Sequence, residues 1–348
     1  MSRIEGASMK RIIPFLVVLC AVFIFAEEKA DSLGNNLPLN PTRVITFTTD
    51  EGTWMSLDIS PDGKTIIFDL LGDLYTLPFR GGKASQLTSG IGFDAQPVYS
   101  PDGNMIAFIS DRGGSENLWI ANVDGSNPKQ LSRIENGQVV SPIFSNDGNY
   151  VYVSQEESFG LVTSEIWMYH IKGGSGVQLT QAKPKDYVAK MDPSKLKRHN
   201  ALGVTLSPDG KYIYYALKKG RWEYNAKLPL WQISRRDMET GQEDIITNAE
   251  GSGMKPKLSP DGTLLVYATR YKTQTGLRVK NLITGSDDWL IYPVTRDDQE
   301  SRSSGDLFPT YEFTPNGSEL VFTKDGGFFK INMVNKRLTE IKFEVDVN

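Results

Sequence analysis

The chain has 348 residues, 39% hydrophobic and 10% aromatic, enough to bury a sizeable core. Its 38 basic and 42 acidic side chains leave a net charge of −4 with no long single-sign run, which argues against nucleic-acid binding, since phosphate neutralisation needs a concentrated basic surface. Two histidines, His170 and His199, are too few for a multi-imidazole metal site, and Cys20 is the only cysteine.

Residues 1–26 read as an export signal: Lys10 and Arg11 precede the apolar run Ile12–Ala26, which is short for a spanning helix. Met9 is an alternative start to Met1, and an uncleaved N-terminal membrane anchor is the alternative to cleavage. Cleavage after Ala26 would remove Arg3, Lys10 and Arg11 against Glu5, taking the charge from −4 to −6, and Cys20 would leave with it. The exported part would then have neither disulfide nor thiol chemistry. Residues 27–43 are a polar linker.

From residue 44 onward one phrase organises the chain. Ser-Pro-Asp-Gly occurs at Ser60–Gly63, Ser100–Gly103, Ser207–Gly210 and Ser259–Gly262, with looser copies at Ser145–Gly148 and Thr314–Gly317. Proline presets φ at the second turn position, and glycine accepts the positive φ that ends it. An apolar residue precedes each copy, and a triplet apolar on both faces follows: Ile66–Phe68, Ile106–Phe108, Val151–Val153, Ile213–Tyr215, Leu265–Tyr267 and Leu320–Phe322. Such a strand is buried between neighbouring sheets. Each copy adds an aromatic third strand, a second turn and a short fourth strand.

The pattern predicts an all-β, six-bladed β-propeller of four-stranded antiparallel blades, at about 50–88, 90–132, 138–180, 198–247, 252–293 and 305–343. Val44–Thr48 is expected to close the ring by pairing beside Leu338–Phe343.

Three stretches exceed the needs of the ring: Gln181–Asn200, Leu217–Pro229 and Val294–Asp306. Surplus loops on a rigid repeat are where binding concentrates. The candidate partner-binding residues at a channel mouth are Asp94, His199, Asn200 and Asp306, with Arg221, Trp222, Glu223, Tyr224, Asp298, Glu300 and Arg302 on the adjoining loops. Asp297, Asp298 and Glu300 could serve glycoside chemistry or a Ca²⁺ site; the blander reading, which is favoured, is a solvated loop neutralised by Arg296 and Arg302. His170 reads as a packed edge residue, and Trp119, Trp167 and Trp231 as core. No Gly-x-Ser-x-Gly or phosphate loop is present.

Ser-Pro-Asp-Gly-Lys, Ser-Asp-Arg-Gly-Gly and Asn-Leu-Trp-Ile resemble the propeller of TolB, a periplasmic protein of the Tol system. Phe68–Pro78, Trp167–His170, Thr269–Gly276 and Arg296–Arg302 resemble more particularly the N-terminal propeller of large exported amidohydrolases. That resemblance implies a non-catalytic accessory, substrate-gating or protein-interaction domain, periplasmic or secreted. The family's metal-dependent barrel has no counterpart up to Asn348, so no metal ligand is carried over and no cofactor is expected in this chain. Its expected partners are a protein or a continuing catalytic domain, with a peptide or other small substrate at the channel mouth; the membrane enters only through an uncleaved signal. The alternatives are a stand-alone TolB-like envelope scaffold and a propeller glycosidase or lyase.

Overall fold

The computed structural model describes residues 43–135, 137–158, 162–181, 199–223, 226–301 and 303–347. The expected signal, the linker up to residue 42, most of Gln181–Asn200, Tyr224 and Arg302 lie outside the described residues. Among the described residues there is no helix.

Six four-stranded antiparallel sheets follow one another along the chain. Their first strands are Leu57–Ile59, Asp94–Tyr99, Val139–Phe144, His199–Leu206, Met254–Leu258 and Glu312–Phe313. The second strands carry the predicted triplets, and every triplet residue is buried, from Ile66, Ile67 and Phe68 at 0% exposure to Tyr152 at 7%. Removing a large apolar side chain from water contributes about 1.5–3 kcal/mol, so these triplets account for much of the core.

Each Gly of the repeated turn has φ between 69° and 72°, the left-handed region that only glycine enters freely. Its N–H donates to the carbonyl of the opening Ser or Thr at 2.7–2.9 Å. The opening hydroxyl donates to the Asp or Asn carbonyl-type oxygen at 2.5–2.8 Å. That hydroxyl also accepts the N–H five residues on, at 2.9–3.1 Å. The turn therefore hands the chain into the second strand with its polar groups satisfied.

Adjacent sheets share their hydrophobic clusters. Met55, Leu57 and Phe68 of the first sheet region pack with Val321 and Phe328 of the sixth, and Phe68 meets Phe328 edge-on at 4.9 Å. First strands touch in succession from the first sheet to the fifth. Asp287–Thr295 of the fifth touches Glu319–Lys324 of the sixth, and Leu57–Ile59 touches Glu312–Phe313.

The N-terminal strand departs from expectation. Phe47–Thr49 pairs antiparallel with Phe343–Val347, Phe47 opposite Val347, and Phe343–Val347 runs parallel to Gly82–Lys83. These three form a sheet of their own, whereas Leu338–Ile341 is the outer strand of the sixth sheet. The reason is the alternation in Phe343–Val347: Phe343, Val345 and Val347 are buried and Glu344 and Asp346 exposed, so this segment needs an inner face of its own.

Candidate functional site

The six first strands line a cavity of about 210 Å³, with Asp58, Val98, Ser141, Gly203, Lys255 and Glu312 each coming from a different sheet. Four of these strands shift register four residues before the turn: between Ala95 and Val98, Val140 and Ile143, Leu202 and Thr205, and Met254 and Lys257. At the shifts Gln96, Ser141, Gly203 and Lys255 have φ of 53°, 57°, 65° and 48°. A bulge of this kind re-aims one side chain without ending the sheet.

These re-aimed groups meet in a buried polar belt. Asp306, fully buried, pairs with Lys255 Nζ at 2.5 Å through Oδ2. The same oxygen accepts Ser141 Oγ at 2.7 Å and Gln96 Nε2 at 3.0 Å, while Oδ1 accepts the Leu307 N–H at 2.7 Å. Gln96 Oε1 accepts the Ser141 N–H at 2.6 Å. Asp69 accepts the N–H groups of Ser56 and Gln96, both at 2.7 Å, yet burial pushes its carboxyl up to about 6. Gly203 makes room: a Cβ there would lie 3.3 Å from Lys255 Cδ. The belt spans side chains or amides from the first, second, third and fifth sheets and the segment entering the sixth.

On the turn side of the belt, Lys257 pairs with Glu312, and Asp58 accepts the N–H of Ile59 at 2.9 Å and of Tyr99 at 2.7 Å. Burial, and then the Glu312 charge, push the Asp58 carboxyl up to about 7 against the pull of Lys257 and the two amides. On the other side a second cavity, about 430 Å³, is lined by Ser56, Asp69 and Gln96 of the belt together with Asp94, Asp111 and Glu116. Among the described residues no three acidic, histidine or cysteine side chains converge as a metal ion would require.

The residues singled out from the sequence fall into two groups. Asp94 starts the second sheet's first strand, is 1% exposed and pairs with Arg112. His199 and Asn200 start the fourth. Asn200 is buried, accepting the Ser164 N–H at 3.1 Å and donating to the Gly220 carbonyl at 2.9 Å. Arg221 and Glu223 pair at 3.3 Å, and Glu223 also holds Lys227 at 2.6 Å, in the open loop.

Trp222 is not part of that loop surface. It is 4% exposed, meets Trp231 edge-on at 5.4 Å and donates Nε1–H to the Gln299 carbonyl at 3.0 Å. The acidic stretch is not solvated either. Asp297 is held by Arg270 and Thr275 rather than by Arg296. Asp298 is buried among the hydroxyls of Ser301, Ser303 and Ser304. Those hydroxyls and the Ser304 amide outweigh the effect of burial and hold its carboxyl below the ordinary value. Glu300 stays half-exposed beside Arg270 at 3.3 Å.

Sequence reasoning did not single out Asp58, Asp69, Gln96, Ser141, Lys255, Lys257 and Glu312. A signal was present: aligning the repeats on the turn places a polar residue four positions before it in five of the six copies and two positions before it in four, in or beside apolar strands.

The description "Tricorn protease N-terminal beta propeller domain" matches residues 55–227. A solved TolB from Acinetobacter baumannii superposes with a TM-score of 0.59 at 16% identity, covering 84% of this chain and 65% of that one. The chain has a β-propeller fold similar to that of TolB. The propeller is 29% identical over 131 residues to the Tol-Pal system protein TolB of Helicobacter hepaticus, covering 36% of this chain and 31% of that protein. It is 27% identical over 319 residues to dipeptidyl-peptidase 5 of Porphyromonas gingivalis, covering 88% of this chain and 42% of the peptidase. An oligogalacturonate lyase from Vibrio parahaemolyticus shares the fold at a TM-score of 0.52 and 14% identity, covering 86% of this chain and 79% of the lyase. The chain spans less than half the length of the curated relatives it matches.

Proposed function

We propose that this chain is a closed, six-bladed, exported propeller that works by binding rather than by catalysis, as the accessory or substrate-gating unit of a hydrolase. Ring closure is supported by the contact of the first and sixth sheets. The observation that carries the binding reading is the polar belt. Lys255 and Asp306 join side chains from several sheets with their groups mutually satisfied, which favours contact at a mouth over threading of a substrate.

The hydrolase is either the amidohydrolase barrel expected from the resemblance or a peptidase, the version favoured by the tricorn and dipeptidyl-peptidase matches. The glycosidase or lyase reading loses two of its three carboxylates, because Asp297 and Asp298 are both held in internal bonds, and keeps only Glu300, beside Arg270. The TolB likeness keeps a second reading, a stand-alone envelope scaffold.

Cross-linking in the source cells, followed by mass spectrometry and sizing of the native protein by immunoblot, tests the proposal. Cross-links to a hydrolase domain, in the same polypeptide or a separate one, support it. Cross-links confined to envelope structural proteins favour the scaffold. Peptide or glycan turnover by the purified chain that disappears on Asp298→Asn would overturn the non-catalytic reading.

A further inference from the structure

We propose that the loop-side cavity binds an organic cation, a protonated amine or guanidinium carried on an aliphatic stem. Four carboxylates line it, those of Asp69, Asp94, Asp111 and Glu116, and among the described residues no Lys or Arg does. The internal compensation is partial. Asp94 Oδ2 holds Arg112, and the Ser110 and Thr88 side chains also favour its charge against burial, but Asp94 is 1% exposed and among the described residues its Oδ1 accepts no hydrogen bond of ordinary length. A buried carboxylate oxygen left without a donor costs free energy that a ligand N–H would recover. Among the described residues Asp111 accepts only the Phe93 amide, at 2.7 Å. Glu116 has no hydrogen bond or ion pair among the described residues, and burial, then the charges of Asp111 and Glu156, raise its carboxyl above the ordinary value.

The rest of the wall suits a stem rather than a bare ion. Trp54, Leu71 and Phe93 line the same cavity, with Leu71 69% and Phe93 57% exposed. Trp54 and Leu71 sit at φ of 59° and 54°, a conformation that bulky side chains adopt only when the surroundings impose it. Aromatic faces beside carboxylates attract an alkylammonium or guanidinium. The volume, about 430 Å³, is that of a small-ligand pocket. The carboxylates do not converge as metal ligands, so a diffuse cation fits them better than a metal ion.

The inference deepens the binding reading above, but its test uses small probes without any partner, so either can fail alone. Calorimetric titration of the full exported chain would compare pentylamine and agmatine with pentanol and pentanoate. The amine and the guanidinium should bind and the neutral and anionic probes should not. Glu116→Gln with Asp111→Asn should weaken binding by about tenfold or more, the loss expected for charged hydrogen bonds. Glu116→Gln alone breaks no internal bond, so its unchanged melting shows that the fold is intact. A blocked lysine amide binding as well as pentylamine would point to a peptide side chain, and binding of the free amines alone to a small metabolite. No binding, equal binding of pentanoate, or indifference to both substitutions would overturn the proposal.

Discussion

A Cβ placed on Gly63, in the first repeated turn, would lie 3.5 Å from Cδ of Pro315, in the last. The same seat recurs between successive turns: Gly103 on Pro61, Gly148 on Pro101, Gly262 on Pro208 and Gly317 on Pro260. Gly210 alone has nothing within 4 Å, because the preceding turn carries Asn146 in place of proline. Asn146 instead donates from Nδ2 to the carbonyls of Ser207 and Pro208, at 2.9 and 3.0 Å. One turn motif thus makes both the strand reversal and the contact between sheets, and the Gly63–Pro315 seat supports closure of the ring.

These seats rank three substitutions. Gly63→Ala and Gly210→Ala should each cost about 1–2 kcal/mol, the price of a side chain in left-handed backbone, and nearly the same amount as each other. Gly262→Ala should cost more, because its Cβ would also come within 2.9 Å of Pro208 Cδ. Urea unfolding of the three variants checks the order; equal losses in all three would remove the packing role of the proline.

Trp222→Ala should lower stability by about 3–5 kcal/mol, the range for emptying a large aromatic from a core. Its ring packs on Trp231 and its Nε1–H is spent on Gln299. Thermal melting is the measurement. An unchanged midpoint would return Trp222 to the exposed loop surface that the sequence suggested.

The strands and turns were legible because both depend on local chemistry: a triplet apolar on both faces, and one turn geometry repeated with the same glycine φ. Burial of the loops was not. Trp222 and Gln299 are brought together only by the fold, and the partner of Asp297 proved to be Arg270, on the fifth sheet's second strand, not its sequence neighbour Arg296. Similarly, the belt depends on register shifts that no propensity encodes. Gln96, Ser141 and Lys255 looked like polar interruptions of apolar strands until the bulges turned them onto one carboxylate, Asp306. The alternation of Phe343–Val347 was readable, but its partner strand was not.

Arg270→Ala should cost about 3 kcal/mol or more, since removing one member of a buried pair strands the other charge. Asp297 is fully buried at its carboxylate, and among the described residues Arg270 is its only cation. Arg296→Ala, at an exposed position, should stay within about 0.5 kcal/mol of the parent. Chemical unfolding of both variants separates the two arginines; equal effects would restore the solvated-loop reading.

Asp58 predicts a pH dependence with a definite sign. Its carboxyl rises from an ordinary 3.8 to about 7 in the folded chain, through burial and the charge of Glu312. The unfolded chain releases this proton first, so folding takes one up between those values. The contribution of Asp58 to stability is therefore complete below about pH 4 and declines until about pH 7, where the buried group ionises. Asp58→Asn has no such proton and should flatten that part of the profile. It should also weaken the fold at pH 5, because a single amide oxygen replaces the two carboxyl oxygens that accept Ile59 and Tyr99. The stability gap between parent and variant should then shrink as pH rises from 5 to 8 in urea unfolding. A gap that stays constant over that range would mean that Lys257, which pairs with Glu312, already holds Asp58 ionised.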